Sequence, residues 1–228
     1  MNRIVPVLTI DGPSGSGKGT VSRQVAARLG WHLLDSGALY RIVALAGTQA
    51  GLAPTDELAH AALAERMQVA FGAGPDGGER VWLGADHREV SGLIRTEEAG
   101  QGASRVAVWP TVRTALLERQ HAFATPPGLV ADGRDMGTVV FPSAPLKIFL
   151  TASSEERARR RHNQLKDKGS GASLAALSLE IAERDRRDST RAVAPLKPAA
   201  DAVLVDSTHL TVEEVVDQVL AEARARGL

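Results

Sequence analysis

The chain has 228 residues, with 27 basic side chains against 27 acidic ones and no cysteine. That length holds one full α/β domain with insertions and is short for two. Zero net charge leaves no global field to attract nucleic acid or an anionic membrane, so neither is expected as a partner. A chain without cysteine excludes disulfides, zinc–thiolate sites and thiol nucleophiles, and fits a reducing compartment.

The apolar run over 4–11 is interrupted by Pro6 and falls far short of a spanning helix or a signal segment. A soluble, unprocessed cytoplasmic protein is therefore expected. The run predicts a strand that delivers the backbone into Gly12-Pro13-Ser14-Gly15-Ser16-Gly17-Lys18-Gly19-Thr20, followed by a helix over 21–29. A glycine-rich turn between a strand and a helix is a phosphate cradle: its glycines allow close backbone approach, the helix amides and dipole face an anion, and Lys18 reaches the β- and γ-phosphates of a nucleotide. One departure matters. The usual motif has Ser or Thr directly after the lysine, whereas here Gly19 intervenes and Thr20 supplies the hydroxyl, so direct ligation of Mg²⁺ by the protein is left open.

A short strand over 31–34 ends at Asp35-Ser36-Gly37, and a helix over 38–47 carries Tyr40 and Arg41 near its start. In a doubly wound sheet these would open on the same mouth as the cradle. Strand-like runs over 67–71 and 80–83, separated by the glycine-rich segment 72–78, predict a hairpin, and 41–106 reads as an inserted subdomain. The polar stretch 91–105 leads into an amphipathic helix over 110–124 with Pro110 at its first position. A buried strand over 129–131 ends in Asp132-Gly133-Arg134-Asp135-Met136-Gly137, and another spans 146–150. Ser153 with Glu156 predicts a capping box for an arginine-rich helix, a further helix covers 172–188, a strand covers 202–205, and Thr211 with Glu214 caps a last helix to about 226. The expected fold is α/β of the P-loop NTPase kind: a parallel sheet of about five strands flanked by helices, with a core of 1–40, 107–155 and 186–228, the insertion, and a helical lid over 156–185.

Phosphoryl transfer asks for in-line positioning and for cations around spread-out anionic oxygens, so clustered arginines carry the chemistry. From 155 to 191 there are ten Lys and Arg against seven Asp and Glu, a local excess in a neutral chain. Arg157, Arg160 and Arg161 are expected to join the cradle in binding ATP, from a lid that closes and excludes water. Lys18, Arg134, Arg160 and Arg191 are the candidate catalytic cations. Asp132, ending a buried strand, and Thr20 are the candidates for Mg²⁺, directly or through its water shell; a simple turn aspartate is the alternative for Asp132. The six histidines are scattered without metal-ligand spacing.

Gly12 to Thr20, Leu34-Asp35-Ser36-Gly37-Ala38-Leu39-Tyr40-Arg41, Ala131 to Thr138, Glu183-Arg184-Asp185 and Arg191 to Pro195 together resemble the bacterial cytidylate kinases, nearly end to end. The resemblance implies ATP-dependent phosphorylation of CMP and dCMP with Mg²⁺, by a protein built of a core, a lid and an enlarged monophosphate-binding part; zero net charge and a self-contained core make a monomer the expected state. It assigns Ser36, Tyr40, Arg41, Arg134 and Arg191 to the acceptor's phosphate, Arg184 and Asp188 to its sugar, and Ser104, Arg113 and Asp135 to its base. Cytosine offers an amino donor beside two acceptors, which a carboxylate, an arginine and a hydroxyl complement. No general base is required, because a phosphate oxygen is already ionised at neutral pH. Another small-substrate P-loop kinase and a non-catalytic nucleotide-binding module remain as alternatives; a GTP switch lacks its N-K-x-D motif here.

Overall fold

The computed structural model describes residues 5–73, 79–166 and 173–228; most of the glycine-rich segment at 72–78 and of the predicted lid gap at 167–173 lies outside them. The chain divides into two compact units, Met1–Asp35 with Gln120–Leu228, and Ser36–Arg119.

The first unit is built on a five-stranded sheet. In chain order its elements are β1 (Val7–Asp11), α1 (Lys18–Leu29), β2 (His32–Asp35), then β6 (Leu129–Gly133), β7 (Leu146–Thr151), α6 (Ser154–Lys166), α7 (Leu174–Ser189), β8 (Val203–Asp206) and α8 (Val212–Ala225). The strands lie in the order β2-β6-β1-β7-β8, every pair parallel. All five residues of β1 and of β6 are buried, as expected for strands covered on both faces, which read as continuous apolar runs. Leu8, Ile10, Val130, Ile148 and Leu150 of the sheet pack with Val21 and Val25 of α1 and with Val215, Val216 and Val219 of α8. Each such side chain contributes about 1.5–3 kcal/mol by leaving water, so the sheet is a rigid platform for what projects from its carboxyl edge. Asp11, Asp35, Asp132, Thr151 and Asp206 all stand at strand ends along that edge.

Local signals act largely as the sequence predicts. Thr211 and Glu214 form a complete capping box on α8, and Ser173 caps α7 by accepting from Ala176 N–H. The box expected at α6 is only half made: Ser153 Oγ accepts from Glu156 N–H at 3.2 Å, while the Glu156 carboxylate turns to Arg159 and Arg160, each at 2.8 Å. The two guanidinium groups outcompete a single backbone amide for a carboxylate.

One element has no sequence signature. Residues Met136–Val140 form a π-helical turn directly after β6. Its first amides, Met136 N–H and Gly137 N–H, each donate at 2.8 Å to the carboxylate of Asp11, 125 and 126 residues away. Burial pushes the Asp11 carboxyl up to about 6, against the pull of those two amides. Its folded pKa therefore lies above the reference value of 3.8, so this group's contribution to stability is complete below that value and is lost as pH rises through about 6. Asp11→Asn removes the titration. Denaturant titrations are expected to show the variant less stable throughout, with a deficit that shrinks by about 3 kcal/mol between the two pH values; a pH-independent deficit would contradict the assignment.

The second unit holds α2 (Ser36–Gln49), α3 (Glu57–Arg66), β3 (Val69–Ala73), β4 (Glu79–Leu83), β5 (Arg88–Glu89), α4 (Glu97–Val106) and the greater part of α5 (Pro110–His121). The predicted hairpin is present as antiparallel β3 and β4, with β5 added as a third strand. The stretch 91–105, expected to be a polar lead-in, instead contains α4. Thr96 caps it by accepting from Ala99 N–H, Glu97 and Glu98 favour its N-terminal dipole, and it packs on α2. Gly102 permits the approach, since a Cβ there would come within 2.8 Å of Ala44.

Candidate active site

The loop between β1 and α1 owes its shape to three glycines at positive φ, Gly12, Gly15 and Gly17, of which the first and last are the most telling. Gly12 has φ of +149°, and a Cβ there would sit 2.0 Å from the Leu150 carbonyl oxygen. Gly17, at φ 92°, adopts the left-handed conformation that starts α1, and no side chain caps that helix. Both positions exclude an L side chain, and the uncapped N terminus leaves amides available to an anion.

The loop's carbonyls are held by protein groups. The Pro13 carbonyl accepts from Lys18 Nζ at 2.7 Å and from Ser16 Oγ at 3.1 Å. The Ser14 carbonyl accepts from Arg157 Nη1 at 3.0 Å, and the Ser16 carbonyl from Arg160 Nη1 at 3.3 Å. Arg160 also binds Ser207 at its hydroxyl, 3.0 Å, and at its carbonyl, 2.5 Å. With their carbonyls engaged by cations on one side, the peptide units of the loop keep their orientation without a ligand. This is preorganisation of the kind that makes an anion cradle effective.

Lys18 is buried, and its charge is unfavourable there. Burial pushes its pKa down, as do the neighbouring cations Arg134 and Arg184, while Asp132 and Asp11 oppose the change. Burial pushes the Asp132 carboxyl up; Lys18 and Arg134 pull it back, and Asp35, its register partner on β2, adds to the rise. Asp132 Oδ2 lies 3.4 Å from where a Cβ on Gly19 would be, which places the carboxylate against the loop. Arg134 and Arg184 thus both disfavour the Lys18 ammonium, with Asp132 and Asp11 opposing them, and a bound polyanion would favour it. Thr20 is exposed and its hydroxyl accepts from Arg23 at 3.4 Å.

A second cationic group centres on Asp188. Arg134 Nε donates to it at 3.0 Å. Although burial raises the Asp188 carboxyl, Arg134, Arg191 and Arg184 together hold it below the usual carboxylate range. Asp135, 3% exposed, opens the π-helical turn without capping it through its side chain. Arg161 donates to Gln164 at 2.7 Å.

In the second unit Ser36 and Tyr40 are buried at the start of α2, and Arg41 donates to the Ile94 carbonyl at 2.8 Å. Ser104 and Arg113, residue types that usually face solvent, are 9% and 8% exposed. The Arg113 guanidinium lies 5.8 Å from the centre of the Tyr40 ring, within cation–π range. Asp11, Asp185 and Ser207 escape sequence reasoning, although two of them carry a readable signal: Asp11 closes a parallel strand and Ser207 directly follows one, at the edge where ligands of such sheets bind.

A parallel sheet with β1 feeding a glycine-shaped phosphate loop, a buried loop lysine and convergent arginines defines a P-loop kinase. Residues 8–225 match the family model described as cytidylate kinase, and the chain belongs to that family. It is 59% identical over 228 residues to the cytidylate kinase of Stutzerimonas stutzeri (strain A1501), an alignment covering 100% of this chain and 99% of the relative. To the cytidylate kinase of Methylococcus capsulatus (strain ATCC 33009 / NCIMB 11132 / Bath) it is 58% identical over 221 residues, 97% of this chain and 98% of the other. Among solved structures, the shikimate kinase of Acinetobacter baumannii aligns at 16% identity with a TM-score of 0.47, over 98% of this chain and 96% of that one. Among the described residues no helix is long and apolar enough to cross a membrane.

Proposed function

We propose that this chain transfers the γ-phosphoryl group of ATP to the phosphate of CMP or dCMP, releasing ADP and CDP or dCDP. The observation that carries the reading is the match to the cytidylate kinase family over nearly the whole chain; the buried Lys18 of the donor loop, influenced by Arg134 and Arg184 of the set expected to hold an acceptor, fits it. A phosphate oxygen of the acceptor attacks the γ-phosphorus, the bond to the β–γ bridging oxygen breaks, and ADP leaves with that electron pair. The nucleophile is already an anion, so no side chain needs to remove a proton. The protein's work is to screen the negative charge of two polyphosphates at close range and to hold them in line.

Residues 12–20 take the donor's phosphates, with Lys18, Arg160 and Arg161 supplying charge; Arg157, expected in this set, is buried with its donors on Ala152, Ser14 and Asp185 and stands outside the direct ligands. Ser36, Tyr40, Arg41, Arg134 and Arg191 take the acceptor's phosphate, Arg184 and Asp188 its sugar, and Ser104, Arg113 and Asp135 its base. Closure of 156–185 as a lid keeps water from consuming ATP. Asp132 fits a divalent cation, and Thr20, whose exposed hydroxyl accepts from Arg23, is proposed beside it only through the ion's water shell. Asp132 is a carboxylate beside the loop whose charge burial disfavours, and a cation compensates such a charge. Bound with ATP, Mg²⁺ neutralises charge on the β- and γ-phosphates. A monomer working in the cytoplasm completes the reading; the lack of cysteine fits a reducing compartment.

A coupled assay of ADP release with CMP, dCMP, UMP, AMP and shikimate as acceptors tests it. CMP and dCMP are expected to give the highest kcat/KM. Faster turnover of any of the other three sinks the assignment of acceptor.

A further inference from the structure

Arg157 is 5% exposed, and its guanidinium spends its donors on protein. Nε donates to the Ala152 carbonyl at 3.1 Å and Nη1 to the Ser14 carbonyl at 3.0 Å. Nη1 and Nη2 form a fork on Asp185, at 3.1 Å and 2.5 Å. The loop also rests on this residue sterically, since a Cβ on Gly15 would lie 3.1 Å from Arg157 Cβ. One buried cation on α6 thus joins a carbonyl of the phosphate loop to a carboxylate of α7. A planar bidentate pair fixes orientation as well as distance. Breaking it by removing one partner leaves the other charge buried and uncompensated.

Asp185 does not stand alone on its helix. It follows Arg184 directly and precedes Asp188 by three residues, a spacing that shares a helix face, and Asp188 is paired with Arg134. Besides the pairs of Glu183 within the helix, α7 thus makes one ion pair leading to the donor loop and one within the cluster assigned to the acceptor.

We infer that Arg157 is a positioning residue for the donor loop and that Asp185 ties it to α7, so that the setting of α7 controls how well the loop receives ATP. Joined to the reading of Arg184 and Asp188 as acceptor-side residues, on which this part rests, the pair also transmits acceptor binding to the donor loop. Coupling of this kind is reciprocal between the two ligands.

The test is calorimetric titration of the non-transferable β,γ-imido analogue of ATP with Mg²⁺ into wild type, Arg157→Lys, Asp185→Asn, the double variant and Arg159→Ala, each without and with saturating CMP. Steady-state kinetics on the same proteins separate KM from kcat. Lysine keeps the charge but cannot span the fork. Arg159 is an exposed arginine on the same helix, paired with Glu156, and serves as the control. Each single variant is expected to bind ATP about 10-fold more weakly, the size of one charge-assisted hydrogen bond, with kcat at saturation lowered less than about threefold. The double variant should be no weaker than the poorer single, because both substitutions cut one connection. Arg159→Ala should match wild type. CMP should tighten ATP binding in wild type and lose most of that effect in the variants.

ATP affinities within about twofold of wild type, or a double variant whose loss is the product of the singles, would overturn the positioning role. So would a fall in melting temperature accompanied by equal losses in kcat and kcat/KM, which is the signature of a purely structural pair. Wild type that shows no effect of CMP on ATP affinity while turning CMP over overturns the transmission alone. If wild type fails to turn over CMP but the ATP affinities follow the expected pattern, the acceptor assignment and the transmission built on it fail together, and the positioning role stands.

Discussion

Lys18→Ala is expected to lower kcat by about 10²- to 10³-fold, the loss found when a preorganised group facing developing charge is removed, while leaving the sheet and its helices folded. Lys18 Nζ holds no carboxylate; its protein contacts are the Pro13 carbonyl at 2.7 Å and Ser16 Oγ at 3.5 Å. The fold does not depend on its charge, and burial together with Arg134 and Arg184 pushes the ammonium toward losing its proton. The sign for stability follows from linkage. A lysine whose folded pKa lies below its reference value of 10.5 binds its proton more weakly in the folded chain than in the unfolded one, so stability rises with pH between the lowered value and the reference value. Without nucleotide, Lys18→Ala should flatten that rise and melt no lower than wild type near neutral pH. ATP phosphates reverse the local balance by offering the ammonium a partner. Wild-type turnover by the variant, measured under saturating ATP and CMP, would falsify the role.

The parts of this molecule that are legible in sequence are those whose cause is local. β1, the loop and α1 follow from an apolar run, glycines and a helix start within a span of 23 residues, and the parallel sheet follows from the alternation of strands and helices. The helix α4 gives little apolar signal because its buried face is made of Ala99, Gly100, Gly102, Ala103 and Ser104, with Val106 at its end as the one large apolar side chain. Small residues give no apolar stripe to read, and their value appears only when Ala44 of α2 packs against them. The same packing buries Ser104, which sequence alone leaves as a surface hydroxyl. The π-helical turn was hidden for a different reason: its starting amides are satisfied by Asp11, a residue far away in the chain, and no local pattern encodes a long-range carboxylate. Arg157 shows the limit for charged clusters. Composition signals an excess of cations, but only the fold reveals that this one faces Ser14, Ala152 and Asp185.

Asp135→Ala should reduce the CMP-to-UMP ratio of kcat/KM by about 100-fold or more, since a site built to pair a polar group rejects the wrong partner by powers of ten and loses that power when the group is removed. Asp135 opens the π-helical turn, yet the turn is anchored by its backbone carbonyl, which accepts from Val139 N–H at 2.9 Å and Val140 N–H at 3.2 Å, and by the distant carboxylate of Asp11. The Asp135 side chain caps nothing there. The carboxylate is 3% exposed and the turn keeps its backbone anchors without a cap from it, so substitution at Asp135 tests base recognition apart from the turn itself. Facing cytosine the carboxylate accepts from the exocyclic amine; facing uracil it meets a carbonyl oxygen, and neither lone pair finds a proton. Asp135→Asn sharpens the test, because an amide can accept from the amine of cytosine or donate to the carbonyl of uracil. The ratio in that variant should approach one from above while the KM for ATP moves less than about threefold. A ratio unchanged in both variants removes Asp135 from base recognition, and a parallel loss for both nucleotides reduces it to a structural residue.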